Sequence, residues 1–163
     1  MNSTLFLRPG DYFFGQHEGG VTTLLGSCVA ITLWHPRWRL LAVSHYLLPA
    51  DPMARGGLDT RYGEGVFRRI QADMQRHGTH PGEYRKGIFG GGSLVRFEGP
   101  RGRRVGHSNS TFAREQFNRR NWAVDDCDLD GQHYRRLHID GRNGVIDCQR
   151  NKVQPLQLGA RPR

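Results

Sequence analysis

Hydrophobic and polar positions change their period several times along the chain, and each change marks an element. Val21–Leu25 reads as a short strand that runs into Gly26-Ser27. Cys28–Trp34 is β-branched and apolar, the pattern of a buried strand. His35-Pro36-Arg37 breaks it, Trp38–Leu48 resumes as a second strand, and the short connection predicts a hairpin. Pro49–Asp59, with two prolines and two glycines, reads as a loop.

From Arg61 to His77 the period lengthens. Val66, Ile70 and Met74 recur every four residues with Phe67 beside them, while Arg68, Arg69, Asp73 and Arg76 fall elsewhere, which predicts an amphipathic helix. Asp59 or Thr60 is placed to cap its start and Gly78 to end it. Tyr84–Phe89 reads as a strand running into Gly90-Gly91-Gly92, and Pro100–Arg104 as a basic loop. A second helix is expected from near Ser108 or Asn109 to about Asn121, burying Phe112, Ala113 and Phe117. Tyr134–Ile139, Gly144–Cys148 and Val153–Leu158 read as a closing meander. The tail beyond Gln149, with Pro155 and Pro162, is expected to be an edge strand that ends loosely. Many strands and few helices in 163 residues predict one mixed α/β layered domain over the whole chain.

Charge narrows the partners. The net charge is +9, carried by arginine with Lys86 and Lys152 the only lysines, and such a balance favours acidic partners. Arg101-Gly102-Arg103-Arg104 has the charge of an RNA-binding patch without interleaved aromatics, so no nucleic-acid partner is expected. No apolar run approaches the roughly 18 residues of a membrane span. The start lacks a basic leader and a small-residue cleavage site. A soluble, cytoplasmic protein is therefore expected. Cys28, Cys127 and Cys148 form an odd set with no CxxC pair, which suits a reducing compartment where one of them is a nucleophile.

The segment VTTLLGSCVAITLW, followed by LLAVSHYLLP, carries the chemistry. Cys28 follows a Gly-Ser turn at the mouth of a strand. Small neighbours let a carbonyl approach the sulfur, and backbone N–H groups not yet claimed by a ladder can hold an oxyanion. Gly26 and Ser27 are candidates for this, and Gly91 lies in a strand exit where substrate or another backbone passes close. A thiol needs a nearby base to react at neutral pH. His45, in the next strand with Val43 and Leu47 on the same face, is the candidate. Thr22 and Thr23 are hydroxyls able to orient an imidazole. Spacing alone leaves an inert buried cysteine, a structural histidine and ordinary strand threonines open.

Taken together, TTLLGSCVAI at 22–31, HYLLP at 45–49, RYGEGVFRRI at 61–70, KGIFGGGSLV at 86–95 and the looser VGHSN at 105–109 resemble the CheD family, the chemoreceptor glutamine deamidases of bacterial chemotaxis. The resemblance implies a layered α-β-β sandwich of mixed sheets with two main helices, similar to bacterial toxin deamidase domains. It implies Cys28 as nucleophile, His45 as base and, six positions before the cysteine, Thr22 as the supporting threonine. It implies hydrolysis of glutamine side chains on methyl-accepting chemoreceptor helices without metal or organic cofactor, and a regulator of the CheC phosphatase type. A non-catalytic adaptor binding receptors or that regulator is the alternative. One departure stands out: where the family carries DxGGxxxR, Asp128–Arg135 has Asp130 at the first glycine position. Asp126-x-Asp128-x-Asp130-Gly131 also imitates half of a calcium loop, but Leu137 stands at its twelfth position, so calcium is not expected.

Overall fold

The computed structural model of the chain describes residues 3–93 and 95–152. Strands β1 (Leu5–Leu7), β2 (Tyr12–Gly15), β3 (Val21–Leu25), β4 (Val29–His35) and β5 (Leu40–Ser44) come first. Helix α1 (Gly63–Arg76), β6 (Arg85–Gly90), α2 (Val95–Arg119), β7 (Asp126–Leu129), β8 (His133–Ile139) and β9 (Ile146–Lys152) follow. One sheet has the order β2-β5-β4-β6-β7 and the other β1-β3-β8-β9. Both are mixed, because β6 and β7, and likewise β1 and β3, pair in parallel. Among the described residues no helix is long and apolar enough to cross a membrane.

Strand β4 is central to the five-stranded sheet and is buried along its whole length. Val29, Ile31 and Leu33 face the helices and share a core with Val66, Phe67, Ile70, Met74, Ala113 and Phe117. Ala30 and Trp34 face the other way and pack with Val21, Leu25, Leu137 and Ile139 of the second sheet. The layers therefore run helices, five-stranded sheet, four-stranded sheet. This is the layered α/β arrangement with two long helices that the hydrophobic pattern predicts.

Several local expectations need correction. Strands β1, β2 and β7 are too short to show a period in sequence; their neighbours in the sheets define them. Strand β5 stops at Ser44 rather than Leu48, because the backbone beyond it pairs elsewhere: His45 with Gly10 and Asp11, and Leu47 with Arg61. Neither Asp59 nor Thr60 caps α1. Asp59 binds Arg61, Thr60 binds the Gly10 carbonyl, and the first helical N–H groups, of Gly63 and Glu64, donate to the carbonyls of Leu48 and Pro49. Gly78, with φ of +67°, does follow the end of α1 as expected.

The expected basic loop at Pro100–Arg104 is instead part of α2, which starts at Val95. Gly99, Pro100 and Gly102 oppose a helix by propensity, but tertiary docking overrides propensity. A Cβ at Gly106 would lie 2.3 Å from the Gly92 carbonyl oxygen, so the helix backbone packs directly on the glycine-rich exit of β6. The last strand runs on to Lys152, so residues 150–152 belong to the sheet rather than to a loose tail. The expected strand at Val153–Leu158 and the rest of the tail lie outside the described residues.

The helix layer is held by an aromatic cluster. Phe67 of α1 meets Phe112 and Phe117 of α2 edge-on at 6.0 and 6.1 Å and Trp122 at 5.9 Å. Truncating a fully buried phenylalanine removes its transfer energy and leaves a cavity. Phe67→Ala is expected to lower the unfolding free energy by about 3–5 kcal/mol in urea titration. A loss below about 1 kcal/mol would mean the two helices are held by something else.

Candidate active site

The pairing register brings the predicted residues together. The β4–β5 ladder continues past the named strands as a bridge between Val29 and Tyr46, with N–H to O bonds of 3.2 and 3.0 Å in the two directions. Cys28 and His45 each stand one residue before a partner in that bridge. In an antiparallel pair this makes them diagonal neighbours on one face, roughly 7–8 Å apart at the backbone and within reach of each other's side chains. The face is the one between the sheets: Cys28 is partly buried against the inter-sheet core, and His45 is 2% exposed.

The threonine in contact with His45 is Thr23. Its Oγ1 lies 2.7 Å from His45 Nδ1 and donates to the Leu7 carbonyl at 2.9 Å. A hydroxyl has one proton. With that proton committed to Leu7, the contact with His45 must be Nδ1–H donating to Thr23, which leaves Nε2 as the basic nitrogen. Thr22, the expected third member, points the other way. Its Oγ1 sits 2.7 Å from His138 Nδ1 on the outer face of the four-stranded sheet. Successive strand residues alternate faces, so a one-residue difference exchanges the inter-sheet face for the outer one, where Thr22 is buried against His138. Strand parity could have found it: Thr23 shares its face with the apolar Val21 and Leu25, which pack in the inter-sheet core.

Burial disfavours the imidazolium and pushes the His45 pKa down to about 4, against a smaller opposing pull from Asp11. The imidazole is therefore neutral at physiological pH, with Nε2 unprotonated.

The Cys28 turn is braced from behind. Gly91 N–H donates to the Cys28 carbonyl and Gly92 N–H to the Gly26 carbonyl, both at 2.9 Å. A Cβ at Gly90, where φ is +113°, would lie 2.2 Å from the Cys28 oxygen, so only glycine fits. Gly91 thus stands beside Cys28, with its N–H engaged with the turn rather than directed at an incoming oxyanion.

Sequence reasoning missed what holds this exit. Arg135, 1% exposed, donates to the carbonyls of Gly90 at 3.2 Å and Asp130 at 2.6 Å and to the Asp128 carboxylate. Burial alone would raise the Asp128 carboxyl, but Arg150 and Arg135 hold it below the usual carboxylate range. Asp130 takes the left-handed conformation, φ +69°, that glycine would take, and its carboxylate accepts from Ser110. Aspartate tolerates this region when its side chain is anchored. The imitation calcium loop is thereby accounted for: Asp126 binds Arg85, Asp128 binds Arg135 and Arg150, and Asp130 binds Ser110.

Helix α2 adds Asn109, which is wholly buried. Its Nδ2 donates to the carbonyls of Ser27 at 3.0 Å and Leu47 at 2.9 Å. Beside it, Tyr46 donates its hydroxyl to the Asn109 carbonyl at 2.5 Å.

The structure thus places a partly buried thiol and a buried imidazole held by Thr23 on one face between two mixed sheets, the groups from which Cys–His hydrolase chemistry would be built. Comparison with known proteins is more specific. Residues 47–150 match the family described as CheD chemotactic sensory transduction. The chain is 36% identical over 145 residues to the "Probable chemoreceptor glutamine deamidase CheD 3" of Dechloromonas aromatica, covering 87% of this chain and 84% of that protein. It is 34% identical over 155 residues to the "Probable chemoreceptor glutamine deamidase CheD 2" of Albidiferax ferrireducens, covering 93% and 88%. The chain belongs to the CheD family.

Two measurements check this geometry. Heteronuclear NMR of the His45 ring should show the Nδ1-protonated tautomer in the native protein and in Thr22→Val, and a tautomer mixture in Thr23→Val. The reverse pattern would return the supporting role to Thr22. Separately, the unfolded histidine titrates near 6.5 and the folded one at about 4. Between those values the unfolded chain binds the extra proton, so stability is fully present above pH 6.5 and is lost as pH falls towards 4. Urea unfolding should show native protein losing on the order of 3 kcal/mol more than His45→Gln across that window. Equal slopes would place His45 in contact with water.

Proposed function

We propose that this chain is a protein-glutamine glutaminase that converts glutamine side chains of methyl-accepting chemoreceptors to glutamate. The observation that carries the proposal is the meeting of Cys28, His45 and Thr23 in one inter-sheet layer, with the His45 proton held on Nδ1. Family membership and the names of the relatives support the substrate.

The reaction follows from the residues. His45 Nε2 takes the Cys28 thiol proton, and the sulfur attacks the carboxamide carbon. Charge develops on the amide oxygen and is held by backbone N–H groups of the Gly26-Ser27-Cys28 turn. The tetrahedral species collapses, the C–N bond breaks, and His45 gives its proton to the departing ammonia. Water then attacks the thioester, with His45 Nε2 taking its proton, and the C–S bond breaks to leave glutamate and the free thiol. Glutamine and water become glutamate and ammonia, with no oxidant, metal or organic cofactor in any step. Thr23 keeps the ring in the tautomer that both half-reactions use.

Conversion of glutamine to glutamate adds a negative charge to a receptor helix and creates a site for methylation, which tunes adaptation. A cytoplasmic location and regulation by a CheC-type phosphatase belong to the same proposal, as does kinship with toxin deamidases. The net charge of +9 suits an acidic receptor surface.

Incubation of a chemoreceptor cytoplasmic fragment with the protein should release one ammonia per converted glutamine. Intact mass should shift by the difference between an amide and an acid. Cys28→Ala and His45→Ala should each abolish both. A receptor that is bound and left unmodified by the native protein would point to the adaptor alternative.

A further inference from the structure

The β4–β5 ladder parts directly beside the active site, and Asn109 sits in the opening. After the Val29–Tyr46 bridge an undisturbed antiparallel ladder would next join residues 27 and 48. Instead Leu48 N–H turns to the Arg61 carbonyl at 3.5 Å, while Leu47 N–H takes the same carbonyl at 2.8 Å. The carbonyls of Ser27 and Leu47 are left facing the parting, and the Asn109 amide donates one N–H to each.

We propose that Asn109 is a positioning residue for the Cys–His pair: it fixes the segment carrying the nucleophile against the segment carrying the base. The inference rests on the Cys28–His45 assignment. Three observations support it. Ser27 immediately precedes Cys28, and Leu47 lies two residues after His45, so one rigid amide spans both arms of the site. The Asn109 backbone carbonyl accepts from Tyr46, the residue between His45 and Leu47, so α2 holds the base-bearing arm twice. The Asn109 Oδ1 is buried and has no hydrogen-bond partner among the described residues. A buried acceptor without a partner is unfavourable. Turning the amide over would aim that oxygen at two carbonyls, which is worse, so the orientation is set by the two donations and not by the needs of asparagine itself. Burial, and to a lesser extent the nearby Cys28, raise the Tyr46 hydroxyl well above its ordinary pKa, so it keeps the proton it donates to the Asn109 carbonyl.

The test uses the full chain and two readouts, receptor deamidation kinetics and the pH profile of Cys28 alkylation by iodoacetamide, read at Cys28 by peptide mass. The variants are Asn109→Ala and Asn109→Asp, which keeps the shape but cannot donate. His45→Ala and Phe117→Leu are the references, the latter loosening α2 at a site remote from the parting. Asn109→Ala and Asn109→Asp should lower kcat roughly 10- to 100-fold with KM within about twofold, as displacement of reacting groups does. Their alkylation profiles should move towards that of His45→Ala. Phe117→Leu should keep the native profile at a comparable loss of thermal stability. The proposal is overturned if the Asn109 variants keep the native profile and lose no more kcat than Phe117→Leu. If His45→Ala itself leaves the Cys28 profile unchanged, the Cys–His assignment falls and the positioning role falls with it.

Discussion

Strand β4 is pressed from both sides, and the site follows from how that pressure ends. Its seven residues are all buried, because two helices cover one face and a second sheet covers the other. A strand so enclosed cannot slip in register, since a one-residue shift would exchange the two cores. The register delivers Cys28 and His45 to the same face, and after Tyr46 the chain leaves the ladder, with Asn109 bridging the parting. The enclosed layer also provides the low-dielectric setting that keeps His45 neutral.

Backbone carbonyls organise the Cys28 turn. Those of Gly26, Ser27, Cys28, Leu47, Gly90 and Asp130 each accept from a donor that belongs to another element. Arg135 is the extreme case, a buried guanidinium serving two carbonyls and a carboxylate. A single unsatisfied group in such a network costs more than the same group in water, so the turn behaves as one unit. Asp130 fits this picture. The family's glycine is replaced, and the left-handed turn survives because Ser110 anchors the new side chain.

The motif GSC followed by HYLLP marked the candidate nucleophile and base, and the four-residue recurrence of Val66, Ile70 and Met74 specified α1. These signals are local: an amphipathic stripe and a buried strand are written in consecutive residues. Thr23 was legible in principle from strand parity, because Val21 and Leu25 flank it on the core face. Asn109 was not legible as a bridge, since it lies 81 residues from Cys28 and nothing in its neighbourhood announces two waiting carbonyls. The start of α2 was misread for the converse reason, that glycine and proline argue locally for a loop while the contact at Gly106 is made with Gly91 and Gly92.

By itself the sequence determined the family, the layered α/β class, and the candidate thiol and imidazole, because each depends on residue type and short-range period. Only the tertiary structure decided which threonine holds the imidazole, which nitrogen carries its proton, and what keeps the two arms of the site in place. Those are matters of which face a side chain takes and which distant carbonyl lacks a donor, and both are settled when strands pair and layers close.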